Sequence, residues 1–395
     1  MHQKRPLEQL FSERSRKFEL SGIRKMFDLV RPGAIDMTLG EPDFNPPKNV
    51  RRALRHAVEE GHNKYGPTAG IPTLRQALAE RLRRWDKTMT PEQVLVTIGA
   101  SEALFLAAAT FYDIDDEVLI PDPGFVVYAP HVRYCRANAK PYGLLQENSF
   151  RPDHEQLKAL VTPKTKAIVV NSPSNPTGGV LTEQDVRAIV DLAVDHDLVI
   201  ISDEVYDEVV YDGEHHSFLG REATTVVVNS FSKTYATTGW RLGYLVADPA
   251  IVDRIVGLHH SIVACPPSLT QHAAVEALTG EQDSVKRMHE VFRKRRDLIL
   301  EPLNRMPGVH CPTPAGAFYA FPRFGYDMSS QQFAMEMVKD GVIAVPGAFF
   351  GVNGEYHLRF SYATSRERIL TGMERMAGTV ERLAKTVPMR KDWNH

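Results

Sequence analysis

The sequence predicts an α/β fold, a mainly parallel sheet layered between helices, followed by a smaller α+β domain. Two observations carry this. Between about Gln93 and Asp248, short apolar β-branched runs alternate with segments of helical period. Several runs are apolar on successive residues (Ile168-Val169-Val170, Leu198-Val199-Ile200-Ile201, Val226-Val227-Val228), as in strands covered on both faces.

The candidate strands are Val94–Ile98, Val118–Ile120, Lys140–Leu144, Ala167–Asn171, Leu198–Ser202, Thr225–Asn229 and Leu242–Val246. Helices are expected over Ser101–Phe111 and over Glu183–His196, where Thr182 is an N-cap with Asp185 three residues on. A long helix over about Ser284–Met306 marks a change of character. A Pro/Gly-rich stretch, Pro307–Pro322, comes next, and shorter elements are expected at Gly316–Phe321, Ser330–Asp340, Tyr356–Tyr362 and from Ser365 onward. Residues 1–44 read as an arm and a loop rather than a core segment. The expected division is residues 1–44 (arm and small-domain segment), 45–283 (large domain) and 284–395 (small domain).

At 395 residues and 43% hydrophobic content, the chain has material for a large core. A net charge of −2 gives no bulk attraction to nucleic acid or anionic lipid. The basic clusters Arg81-Leu82-Arg83-Arg84 and Arg293-Lys294-Arg295-Arg296 read as solvated helix faces. No apolar run is long enough to span a membrane, and the start Met1 to Pro6 leads into no apolar signal segment. Cys135, Cys265 and Cys311 are odd in number and far apart, which suits a reducing, cytoplasmic location. The 15 histidines show no metal-site spacing.

Five segments carry candidate chemistry. Ser230-Phe231-Ser232-Lys233 follows a strand, with Arg241 eight residues later. Lys233 alone reads better as a solvated charge. With two hydroxyls and a guanidinium it suits an anionic, carbonyl-bearing ligand held as a Schiff base. Ser202-Asp203-Glu204-Val205-Tyr206 puts a carboxylate at a buried strand's carboxyl end, where open α/β sheets bind ligands. Asp203 can face a pyridine nitrogen or cap a helix. Tyr206 can donate its hydroxyl to a ring oxygen or pack on the sheet. Asn171-Ser172-Pro173-Ser174-Asn175-Pro176-Thr177-Gly178 is a rigid turn with a candidate cis Asn-Pro bond, and Asn175 can reach the same oxygen.

Val96-Thr97-Ile98-Gly99-Ala100-Ser101-Glu102-Ala103 is a strand–Gly–helix junction whose free N–H groups form a phosphate site. It carries neither the dinucleotide nor the P-loop fingerprint. Phe125, after the next strand, stacks on a planar ring or packs in the core. In His357-Leu358-Arg359-Phe360-Ser361, Arg359 lies within an apolar strand and needs a partner, either a substrate carboxylate or a structural acid.

The ordered set, from Gly40-Glu41-Pro42-Asp43-Phe44 to Arg359-Phe360-Ser361-Tyr362-Ala363-Thr364, resembles the fold-type I pyridoxal-phosphate (PLP) enzymes, in particular class I aminotransferases of the aspartate/aromatic kind. The resemblance spans essentially the whole chain. It implies a mostly parallel seven-stranded sheet, a smaller domain, and a homodimer with sites at the subunit interface. By it, Lys233 is the Schiff-base lysine and Asp203 the partner of the pyridinium nitrogen. Tyr206 and Asn175 serve the phenolic oxygen, and Phe125 stacks on the ring. Ser230, Ser232, Arg241 and the Ala100 and Ser101 amides form the phosphate cup. Tyr65 reaches the phosphate from the other subunit, Arg359 clamps the substrate α-carboxylate, and Gly40 lies in the loop closing over the substrate.

The implied activity is transfer of an α-amino group to a 2-oxo acid such as 2-oxoglutarate, in two half-reactions. Some bacterial aspartate aminotransferases carry a lysine where this chain has Ser101, which speaks against strict dicarboxylate specificity. Segments like Ile23-Arg24-Lys25-Met26 and Ala264-Cys265-Pro266 occur in aromatic-accepting members, so the expectation is a broad aspartate, aromatic or alanine enzyme. The alternative is a PLP-dependent β-lyase of the same fold. A sensor module of a transcription regulator needs a DNA-binding domain, and about 40 residues before the first motif are fewer than a domain's roughly 50–200.

Overall fold

The computed structural model describes residues 7–16, 18 and 20–393; the start of the chain from Met1 to Pro6 lies outside them. Its centre is a seven-stranded sheet. Across it run Val94–Thr97, Gly243–Val246, Thr225–Ser230, Val199–Asp203, Thr165–Asn171, Glu117–Asp122 and Asn138–Gly143. All seven predicted strands are present, with ends shifted by a residue or two. Gly243–Val246 runs antiparallel to both its neighbours and the other pairings are parallel. The connection from Ser230 to Gly243 runs through two short helical turns, Phe231–Thr234 and Thr238–Trp240.

Both faces of the sheet are covered, and the side chains alternate between them. Leu95, Val169, Ile201, Val226, Val228 and Leu245 pack into one core. Val94, Val96, Ile168, Val170, Ile200, Val227 and Val246 pack into the other. Successive residues point to opposite faces of a strand, so apolar runs without alternation are what double coverage requires. The helix Glu183–Asp195 begins with the predicted capping box, in which Thr182 and Asp185 each satisfy the other's backbone N–H.

The register places the chemistry. Asn171 pairs with Asp203 and Ser230 pairs with Gly243, so three polar residues stand side by side at one edge of the sheet. They occupy the carboxyl ends of parallel strands, where the chain turns into helices and loops.

A separate core joins the long helices Asp283–Arg305 and Arg366–Thr386 to a small sheet of Tyr319–Ala320, Leu358–Ser361 and Val345–Pro346. Here the reading of residues 1–44 as arm and loop is corrected. Met26, Ile35 and Met37 are buried in this core, and Ile35–Asp36 pairs in parallel with Val342–Ile343. A two-residue strand is too short to show periodicity, so only its tertiary pairing reveals it.

The basic clusters are also not merely solvated. Arg296 is 6% exposed and bonds Asp212, while Arg295 forms a two-pronged pair with Asp43 at 2.6 and 2.8 Å. Arg84 lies 3.7 Å over the Trp85 ring and reaches Asp207 at 2.9 Å. Each guanidinium finds an acid from a distant segment, which helix period cannot disclose. Cys135, Cys265 and Cys311 are free thiols. Among the described residues no helix is long and apolar enough to cross a membrane, and no cluster of His, Cys, Asp or Glu could hold a metal ion.

Candidate active site

A cavity of about 240 Å³ opens at the carboxyl edge of the sheet, against the small sheet. It is lined by Gly40, Ala100, Ser101, Phe125, Asn175, Asp203, Tyr206, Ser230, Ser232, Lys233, Arg241 and Arg359, which is every predicted site residue except Tyr65. Tyr65 is 90% exposed and outside the cavity.

Asp203 is buried, and burial pushes its carboxyl up to about 6 against the opposing pull of its donors. Tyr128 donates its hydroxyl to Asp203 Oδ2 at 2.7 Å, and Val205 N–H donates to Oδ1 at 3.4 Å. Asn171 ties this strand end to its neighbour, donating from Nδ2 to the Asp203 carbonyl at 2.9 Å and accepting the Asn175 N–H at 2.8 Å. Asp203 is therefore held by donors on one side and open to the cavity on the other.

The opposite end is built for an anion. The helix Gly99–Phe111 starts here, and its cap residue Ile98 supplies no side-chain acceptor for the first N–H groups. Gly99 has φ +72°, and a Cβ there would come within 2.6 Å of Arg241 Nη2, so glycine lets the guanidinium lie directly over the helix start. Arg241 itself has φ +54° and donates to the Thr238 carbonyl at 2.8 Å. Ser230 and Ser232 face each other at 2.8 Å. Two hydroxyls, a guanidinium and a helix N-terminus gather donors suited to an anion such as a phosphate.

Between these ends stands Lys233, its Nζ 2.6 Å from the Gly40 carbonyl and 5.9 Å from the Tyr206 ring centroid. Burial lowers its pKa to about 8, with Arg359 and Arg241 acting in the same direction and Glu41 and Asp203 against it. Arg359 is 1% exposed, and burial lowers its pKa. Its Nη1 donates to Asn175 Oδ1 at 2.9 Å and its Nη2 to the Thr38 carbonyl, while Nε has no hydrogen-bond partner among the described residues. Among the described residues no carboxylate forms an ion pair with it, so its charge faces the cavity without a direct partner. The Asn175–Pro176 bond is cis, as the sequence suggested.

These residues fit pyridoxal phosphate by donor chemistry. An anion cup, an amine of lowered basicity, and an acid open towards the cavity match the cofactor's phosphate, carbonyl and pyridine nitrogen. Phe125 lines the same space, 5.9 Å edge-on to Tyr128.

Sequence reasoning missed Tyr128, Tyr319, Thr238 and Leu104, and it noted Ile23 only as part of a motif. Tyr319 lines the cavity, its hydroxyl 2.7 Å from that of Tyr206. Tyr128 lies three residues beyond Phe125, at the first turn of the helix Tyr128–Tyr134.

Comparison with known proteins shows the family. The family model described as aminotransferase class I and II matches residues 32–376. The aromatic-amino-acid aminotransferase 2 of Thermococcus litoralis is 40% identical over 377 residues, covering 92% of this chain and 97% of that protein. An aspartate aminotransferase of Pyrococcus abyssi is 39% identical, covering 90% and 94%. The solved structure of an alanine aminotransferase from Pyrococcus furiosus superposes with a TM-score of 0.90 at 33% identity, covering 94% and 100%. The chain belongs to the class I and II aminotransferase family and is a PLP-dependent aminotransferase.

Proposed function

We propose that this enzyme moves the α-amino group of aspartate, aromatic amino acids or alanine to a 2-oxo acid, 2-oxoglutarate among them, in a ping-pong cycle. The observation that carries this reading is Lys233, a buried amine of lowered basicity among Asp203, Arg241 and Arg359. Lys233 is the covalent anchor of the cofactor. Ser230, Ser232, Arg241 and the Ala100 and Ser101 amides hold its phosphate, Asp203 its ring nitrogen, Tyr206 and Asn175 its ring oxygen, and Phe125 its face.

When bound, the cofactor supplies an electron sink for the carbanion left at substrate Cα. Arg359 holds the substrate α-carboxylate, with Asn175 and the Thr38 carbonyl fixing the guanidinium plane. Lys233 Nζ, once free and neutral, takes the proton from substrate Cα; its pKa of about 8 keeps a usable neutral fraction near pH 7. Gly40 lies in the loop that covers the substrate and excludes water.

Breadth of donor is supported by the aromatic, aspartate and alanine names of the relatives and by Ser101 in place of a lysine. Ile23 and Leu104 add apolar wall to the cavity. The enzyme is proposed to be a cytoplasmic homodimer, with Tyr65 completing the partner's phosphate cup; the exposure of Tyr65 supports the dimer and the three free thiols support the location. Residues 45–283 form the proposed cofactor domain and 284–395 the small domain, to which the segment 1–44 contributes.

The test is Lys233→Ala together with a kcat/KM panel of Asp, Glu, Phe, Tyr, Ala and Leu against 2-oxoglutarate. Loss of turnover and of covalent cofactor attachment is expected. Retained wild-type activity, or pyruvate release without any acceptor, would overturn the reading.

A further inference from the structure

Tyr319 touches three parts of the site at once. It sits on the strand Tyr319–Ala320, which pairs with the strand carrying Arg359, and it is 1% exposed. The Arg359 guanidinium lies 4.6 Å over its ring. Its hydroxyl is 2.7 Å from the Tyr206 hydroxyl. A Cβ on Gly40 would come 1.9 Å from that hydroxyl, so the covering loop closes directly on it. We propose that Tyr319 is a positioning residue that orients the Tyr206 hydroxyl and links it to the Arg359 clamp. The inference rests on the roles given above to Tyr206 and Arg359.

The physical argument is about which hydroxyl donates. A hydroxyl has one proton, so two facing hydroxyls share one bond and one proton remains free to point elsewhere. Arg359 and Asp203 bear on both hydroxyls, the cation lowering and the carboxylate raising each pKa, while Lys233 lies 5.9 Å over the Tyr206 ring. Arg359 lies 4.6 Å over the Tyr319 ring and is the strongest charged influence on that hydroxyl, which makes Tyr319 the more acidic phenol of the pair and the better donor. Tyr319 is therefore the donor. The Tyr206 proton is left to point into the cavity, and accepting one bond strengthens the bond it makes. Donation from Tyr206 to the cofactor's ring oxygen withdraws electron density and lowers the basicity of the nitrogen through which Lys233 holds the cofactor.

The experiment is a pH titration of cofactor absorbance in the holoenzyme, without substrate, for wild type, Tyr319→Phe, Tyr206→Phe and the double variant. Tyr319→Phe keeps the ring and is expected to raise the midpoint by about 0.3–0.7 pH units, given strengthening of roughly 10–30% per linked bond. Its kcat should fall more than its KM rises. Tyr206→Phe should raise the midpoint further, and the double variant should match Tyr206→Phe, because Tyr319 acts through Tyr206. Placing the more acidic 3-fluorotyrosine at Tyr319 should lower the midpoint with no change in packing. An unmoved midpoint in Tyr319→Phe, or shifts that simply add, would overturn the proposal. Failure of the underlying reading is distinguishable, since it would leave the same absorbance titration in Lys233→Ala.

Discussion

Tyr128 donates its hydroxyl to Asp203 Oδ2 at 2.7 Å, with both groups buried. A donor to a carboxylate favours the ionised form, and so this bond works against the burial that pushes Asp203 up to about 6. Tyr128→Phe removes the donor and keeps the ring. A bond to a charged group contributes about 1.5–3 kcal/mol, so the Asp203 carboxyl should rise by roughly one unit or more. Apoenzyme titrated with cofactor across pH 5–8 should then lose affinity at a higher pH than wild type. Superimposable affinity profiles would show that Tyr128 only fills space.

Asp203 should weaken the apoenzyme at neutral pH. Its folded pKa of about 6 lies above the ordinary 3.8, so between these values the folded state holds more protons than the unfolded one. Stability from this group is present below about pH 4 and is lost as pH rises to about 6. Asp203→Asn keeps an oxygen to accept from Tyr128 and removes the charge. Its apoenzyme should be more stable than wild type at pH 7, by about 1–3 kcal/mol, with the gap closing by pH 4. Thermal melts of both apoenzymes at the two pH values check this, alongside the expected loss of activity.

Gly40→Ala places a methyl 1.9 Å from the Tyr319 hydroxyl, too close for any atom pair. The loop must move, taking with it the carbonyl that accepts from Lys233. The melting temperature should change little, because Gly40 is half-buried in a loop. Steady-state kinetics should show kcat/KM lower by about ten- to a hundredfold, as expected of an ångström-scale misplacement.

Arg359→Lys preserves the charge and loses the planar fork. A lysine cannot reach Asn175 Oδ1, the Thr38 carbonyl and a substrate carboxylate with fixed geometry. KM for every amino acid donor should rise, with kcat/KM down by about thirtyfold or more, equivalent to roughly 2 kcal/mol. A donor-dependent effect would instead place Arg359 at the side chain of the substrate.

The cofactor end of this site was legible because its residues are local. Ser230, Ser232 and Lys233 lie within four positions of a strand end, and the Gly99 junction joins a strand to a helix directly. Apolar runs and glycine-bearing turns carry enough period and punctuation to be read from one chain. Tyr128 and Tyr319 were not legible, since aromatic residues at such positions ordinarily pack in a core. Their roles come from Asp203, 75 residues away, and Tyr206, 113 residues away.

The residue order alone determined the layered α/β architecture and the strand ends that carry the proposed cofactor residues, Lys233 among them. Those features follow from short-range period and from chemistry within a few residues. Tertiary structure decided the burial of Met26, Ile35 and Met37 in the second core, the acids that pair with Arg295 and Arg296, and the Tyr128–Asp203 and Tyr206–Tyr319 bonds. Each joins segments far apart in the chain, and a lone side chain has no partner until folding supplies one.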